Sequence, residues 1–199
     1  MNNISLPQWA ISQVSAHRDA AEAVLDHALE SVLVVAEAVR QAYEAGGVLY
    51  SFGNGGSAAD AQHLTGELIG HYKRDRRPLP AVTLTTDATV VSCVANDYSY
   101  DDVFSRQVEA LARPQDVVVG FSTSGRSPSV IAGLQAAQRV GATTVLFGGA
   151  VGGPAASYAD HQLLAPASGT ARAQEVHTLM LHLISEYLDA WAAGEEPTA

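Results

Sequence analysis

Val48-Leu49-Tyr50-Ser51-Phe52-Gly53-Asn54-Gly55-Gly56-Ser57-Ala58-Ala59-Asp60-Ala61-Gln62-His63-Leu64-Thr65-Gly66-Glu67 joins a short apolar run to a helical one through a glycine-rich turn. Val48–Phe52 has the length and composition of a buried strand, and Ser57–Gly70 spaces its apolar residues as a helix does. Glycines let a backbone approach a ligand closely and take up positive φ. The free N–H groups at a helix start favour an anion. The turn is neither a P-loop nor a dinucleotide fingerprint, since no Gly-Lys-Ser/Thr follows and the glycine spacing differs. A plain strand-to-helix turn with Ser57 as N-cap explains the local pattern equally well.

The same alternation continues along the chain. Ala81–Thr85, Val117–Phe121 and Thr143–Phe147 are further apolar strands, and His161–Leu164 is a weaker one. Asp102–Ala112, Pro128–Val140 and Ala171–Trp191 are helical. Strand alternating with helix predicts a parallel sheet with right-handed crossovers, an α/β fold of about five strands. Pro7–Ala45 precedes it as a helical stretch with Ala20, Val24, His27, Ser31, Val34 and Val35 near one face, stopped by Gly46-Gly47. Its length suits two helices, or one helix packed on a partner subunit. The expected organisation is a helical segment at 1–46, one α/β domain at 47–192, and a frayed tail at 193–199.

The chain has 199 residues, 47% of them apolar and 16% charged, with a net charge of −10. That composition fits a globular enzyme and disfavours a nucleic-acid partner, whose phosphates the acidic surface repels. Cys93 is the only cysteine, so no intrachain disulfide forms, and the thiol is expected to be buried and inert. No apolar stretch is long enough to span a membrane, and no signal peptide is recognisable, so a cytoplasmic location is expected.

In parallel sheets, ligands bind beyond the carboxyl ends of the strands. Three loops leave strands at that edge: Gly53–Ser57, Thr85–Asp87 and Ser122–Ser127. The last lies in Phe121-Ser122-Thr123-Ser124-Gly125-Arg126-Ser127-Pro128-Ser129. Capping by Ser127 ahead of Pro128 explains that serine. It does not explain Ser122, Thr123 and Ser124, and hydroxyls with helix N–H groups make a phosphate cradle without positive charge. His63 and Glu67 share a helix face at i, i+4, usually a surface contact but here one turn into a helix that opens at the ligand edge. Gln174, His177 and His182 lie on the last helix among Val176, Leu179, Met180, Leu183 and Ile184. A lone histidine there would be a core residue; two with a glutamine are harder to dismiss, and imidazole and carboxylate suit zinc. Asn96-Asp97 serve as turn residues or as partners for sugar hydroxyls.

Taken in order, Gly53-Asn54-Gly55-Gly56-Ser57, His63…Glu67, Asn96-Asp97, Ser122-Thr123-Ser124-Gly125-x-Ser127 and Arg172-x-Gln174-Glu175…His182 resemble the sugar isomerase (SIS) domain family, and within it the phosphoheptose isomerases. The resemblance runs from the N-terminal helices to about Trp191. It implies a flavodoxin-like three-layer sandwich and a homotetramer with active sites at subunit interfaces. It implies that Ser57, Ser122, Thr123, Ser124 and Ser127 hold a phosphate, and that Asn54, Gly55, Gly56, Asn96 and Asp97, with Glu67 and Gln174, line the sugar. Glu67 and His182 would be the acid/base pair of a ketose–aldose isomerase acting on sedoheptulose 7-phosphate, giving D-glycero-D-manno-heptose 7-phosphate or its C2 epimer. His63, Glu67, Gln174 and His182 correspond to zinc ligands, and no nucleotide cofactor is needed. The chain departs from the family pattern at Ala171, where the enzymes often have Asp, and at His71, where they often have Arg.

Two other functions remain open within the family. One is a non-catalytic SIS protein that binds a partner such as the replication initiator; the other is an isomerase of a different phosphosugar. In the non-catalytic relative the positions of Glu67 and His182 are altered. Their presence here favours the enzyme.

Overall fold

The computed structural model describes residues 7–197. Strands β1 (Leu49–Gly53), β2 (Ala81–Thr83), β3 (Val117–Ser122), β4 (Thr143–Gly148) and β5 (His161–Leu164) form one parallel sheet in the order β2-β1-β3-β4-β5. Helices α1 (Gln8–His27), α2 (Leu29–Glu44), α3 (Gly56–Ile69) and α7 (Thr170–Ala193) belong to one layer. Leu49, Val117, Val119, Phe121, Val145 and Phe147 point into it. Helices α4 (Ala88–Asp97), α5 (Ser105–Leu111) and α6 (Pro128–Val140) cover the other face against Tyr50, Phe52, Val118 and Leu146. Every residue of β1 and β3 is buried, which is why these strands read as apolar runs rather than alternating ones. The expected α/β sandwich is therefore the fold.

Several local expectations change. The N-terminal stretch is two helices, broken at Ala28, whose φ of −134° is not helical. The break shifts the buried stripe to Val32, Val35, Ala36 and Val39, leaving His27 and Val34 exposed. Ala88–Asp97 was not anticipated as a helix, because Thr89, Val90 and Val91 are β-branched and lose χ1 freedom there. Asp87 overrides that preference by accepting from the N–H groups of Thr89 and Val90. Cys93, on this helix, is exposed rather than buried, and its bond to Asp97 pushes the thiol pKa up. The helix expected over 102–112 is a 3-10 turn, Tyr100–Asp102, followed by α5. The bend between them buries both Val103 and Phe104.

A buried ion pair fastens α3 to α7. Arg76 Nε donates to Asp189 Oδ1 at 2.8 Å, and neither side chain is more than 1% exposed. The rest of the guanidinium donates to the carbonyls of Glu67 and Leu68, each at 2.8 Å, and of Gly70 at 3.2 Å. It thus caps the last turn of α3, where a cation is favoured. Asp189 also accepts from the N–H groups of Tyr72, Lys73 and Arg74. Burial pushes the Asp189 carboxyl up, but these N–H groups and Arg76 outweigh it and hold it below its ordinary value. Beyond α7, Arg74 bonds the Glu195 carboxylate and the Glu196 carbonyl; Thr198 and Ala199 lie outside the described residues.

Removing one partner of a buried pair leaves the other charge unpaired. Asp189→Ala is expected to cost about 3–5 kcal/mol in urea unfolding at pH 7. A carboxyl depressed in the fold stabilises above its unfolded pKa of about 3.9 and loses that contribution as pH falls through the lower folded value. The stability curve of Asp189→Ala should therefore be flatter than that of the unmodified chain below about pH 4.

Candidate active site

The strand order reverses between β1 and β3, and ligands settle in the crevice at such a switch point. Gly53 and Phe121 are paired there, so the loops leaving both strands lie side by side. Gly55, at φ 58° and ψ −123°, is the residue before α3 and carries no side-chain cap. Ser57 is consequently not the N-cap but the second residue of the helix, buried, with its N–H given to the Asn54 carbonyl. In the second loop, Gly125 has φ +60°, and a Cβ there would collide with the Gly152 carbonyl. Gly125 N–H bonds Ser122 Oγ at 3.1 Å, and Arg126 N–H bonds Ser124 Oγ at 3.2 Å. Ser127 precedes Pro128 as the N-cap position, yet its hydroxyl makes no capping bond.

That hydroxyl belongs to a chain of bonds across the loops. Tyr100 O–H donates to Asn54 Oδ1 at 2.8 Å. Asn54 Nδ2 donates to Ser127 Oγ at 2.7 Å and to Ser129 Oγ at 2.9 Å. The Asn54 side chain is thereby committed to bracing the loops. Ser129 stood in the quoted hydroxyl loop; Tyr100 had no local signal, because only the tertiary fold brings it to Asn54. Asn96 Nδ2 donates to Asp97 Oδ1 at 2.8 Å, at the exposed end of α4.

Helices α3 and α7 run side by side and bring three of the expected residues together. His63 Nε2 lies 3.0 Å from Glu67 Oε1 and 3.3 Å from His182 Nε2. All three ligand atoms fall within 4.8 Å of one another. The carboxylate brings no hydrogen, and two Nε2 atoms at that separation cannot both carry one. A cation among them satisfies all three, and tetrahedral zinc with bonds of ~2.0–2.1 Å sets its ligands roughly 3.4 Å apart. The residues present thus fit zinc. Gln174 packs elsewhere: a Cβ at Gly56, seven residues before His63, would collide with its amide. His177 is fully buried and turns away, with Nε2 2.9 Å from the Gly148 carbonyl.

Tyr72 stacks on His182 with centroids 5.3 Å apart, placed by the loop that Asp189 holds. Burial, then the neighbouring His63, lowers the His182 pKa, against the pull of Glu67. A neutral imidazole beside a carboxylate can relay a proton or ligate a metal. Beneath α3, Ser51 Oγ donates to the Ala61 carbonyl at 3.0 Å and lies 3.0 Å from Thr65 Oγ1. These bonds fix the rotation of α3, and so the face that carries His63 and Glu67.

The SIS domain family model matches residues 14–149. A phosphoheptose isomerase of Roseiflexus sp. strain RS-1 is 43% identical over 185 residues, 93% of this chain and 94% of its own length. The structure of a phosphoheptose isomerase from Neisseria gonorrhoeae superposes with a TM-score of 0.87 at 36% identity, covering 93% of this chain and 99% of that one. One from Francisella tularensis gives 0.87 at 28% identity, over 90% and 96%. Such identity over nearly the whole length assigns the chain to the SIS domain family and, within it, to the phosphoheptose isomerases.

Proposed function

We propose that this chain is a sugar-phosphate isomerase that interconverts sedoheptulose 7-phosphate and D-glycero-D-manno-heptose 7-phosphate or its C2 epimer. The observation that carries this reading is the convergence of Glu67 and His182 on helices that open at a hydroxyl-lined crevice. The phosphate rests against Ser57, Ser122, Thr123, Ser124 and Ser127. Gly55, Gly56, Asn96, Asp97 and Gln174 line the sugar, with Asn54 bracing the loops. Ser57 lies six residues from His63 and ten from Glu67 on α3, ~9 Å and ~15 Å along the axis. A long-chain sugar phosphate has the reach for that gap and a triose does not.

Glu67 removes a proton from C1 of the ketose while His182 gives one to O2, and a 1,2-enediol results. Glu67 then returns its proton to C2, His182 recovers one from O1, and C1 becomes the aldehyde carbon. Zinc held by His63, Glu67 and His182 would polarise the sugar oxygens, and Gln174, which lies against Gly56, would have to turn toward those three residues to serve as the fourth ligand. No nucleotide cofactor enters this chemistry. A carboxylate bound to a metal is not a free base, so chelation separates the two roles of Glu67. Product formation from sedoheptulose 7-phosphate, followed by NMR, tests the whole assignment. Glu67→Gln is expected to lose about 10²–10⁴-fold in kcat. Activity that survives both Glu67→Gln and chelator would overturn it.

Tyr100→Phe frees Asn54 from its partner without touching the reacting carbons. One hydrogen bond of about 0.5–1.5 kcal/mol predicts a KM roughly twofold to tenfold higher at similar kcat.

The chain is a homotetramer in this reading, with the N-terminal helical segment, whose residues 1–6 lie outside the described residues, packing in the oligomer and with the active sites at subunit interfaces. Support comes from apolar side chains left in solvent: Trp9 at 71%, Val14 at 70% and Leu25 at 67% on α1. Sedimentation should give four times the chain mass of 20.8 kDa. We place the enzyme in the cytoplasm, where an exposed single thiol stays reduced. No helix among the described residues is long and apolar enough to cross a membrane, and the acidic charge does not favour nucleic acid.

A further inference from the structure

Asp60 and His177 face each other between α3 and α7, and the bonds described so far leave both incomplete. His177 Nδ1 and Asp60 Oδ2 are buried, have no hydrogen-bond partner, and lie 3.9 Å apart. The Gly148 carbonyl can only accept, so His177 Nε2 carries the hydrogen of that 2.9 Å bond and a neutral ring presents a bare Nδ1. Phe121 and Phe147 surround the imidazole at 6.0 and 5.7 Å between centroids and offer it no donor. The Thr178 hydroxyl donates to the Gln174 carbonyl at 3.2 Å. A buried acceptor without a donor is costly, and closing the gap by about 1 Å completes a bond.

We infer that Asp60 and His177 share one proton in a hydrogen bond between α3 and α7, and so act as positioning residues that hold His63 and Glu67 against His182. Asp60, His63 and Glu67 follow one another at i, i+3 and i+7 on one face of α3. His177 stands five residues before His182 on α7. Fixing the first pair fixes the spacing at which the second meets. Burial pushes the Asp60 carboxyl up to about 6 and holds the His177 ring below its ordinary value. Each group is thereby kept from being charged alone, and one proton between them leaves the pair neutral.

The consequence for turnover rests on the isomerase reading; the bond itself does not. The test therefore has two parts on the full-length protein. In ¹⁵N-histidine spectra, with His177 assigned through His177→Gln, Nδ1 should show the shift of a hydrogen-bonded nitrogen and lose it in Asp60→Ala. In turnover of sedoheptulose 7-phosphate, Asp60→Ala should lose about 10²-fold in kcat at little changed KM, as misplaced reacting groups do. Asp60→Asn, whose amide can donate to Nδ1, should lose clearly less. An Nδ1 resonance identical in the unmodified chain and Asp60→Ala overturns the bond, whether or not the chain proves to be an isomerase. Equal losses in the alanine and asparagine variants overturn the positioning role. Should Asp60→Ala fail to fold, the unmodified spectrum and the Asp60→Asn kinetics decide the matter.

Discussion

The parallel contact of α3 with α7 is the constraint on which the site depends. Arg76 and Asp189 fix it at one end, where the guanidinium caps α3 beside Glu67. Gln174 against Gly56 closes it at the other. A buried ion pair is weak evidence for stability, because the desolvation of both charges offsets much of their attraction. Its value here is geometric. Asp189 accepts four bonds that only one arrangement of the 72–76 segment supplies, so it sets the loop, the end of α3 and the place of Tyr72 over His182 together.

Much of this is legible in the sequence. The parallel sheet followed from apolar runs separated by helical ones, and α6 and β5 fell on their expected residues. The two loops proposed to bind the sugar phosphate are legible because their signal is local: glycines and hydroxyls at strand ends. Helix α4 was missed because its β-branched residues argue against a helix, while the cap that nucleates it is a single residue, Asp87. The thiol of Cys93 was misplaced for the same reason, since burial cannot be judged on an element that has not been recognised.

The partnerships within the site were not legible, and the reason is sequence separation. His63 and His182 meet across 119 positions, and Tyr100 reaches Asn54 across 46. No period or spacing encodes such contacts; the resemblance to a family supplied the first and nothing supplied the second. His177 shows the converse. Sequence placed it beside Gln174 and His182 as a candidate ligand, and the fold turned its Nε2 onto a backbone carbonyl. Position on a helix face constrains direction only to within a turn, and three residues decide whether a ring faces the crevice or the core.

The proposed phosphate crevice raises a question of charge. The chain carries −10 overall, and the loop at Ser122–Ser127 contributes only Arg126, which is exposed. Long-range attraction therefore does not draw an anion to this protein. What remains is short-range and directional: hydroxyls on two loops and the positive ends of the α3 and α6 dipoles, whose partial charges act at contact. Such donors help only if they are already aimed, because each one ordered on binding costs conformational entropy. The bonds from Tyr100 through Asn54 to Ser127 and Ser129 do that aiming in advance. In the proposed phosphate site, preorganisation takes the role that lysine or arginine plays elsewhere, and the mutual bonding of side chains at this edge is what it requires.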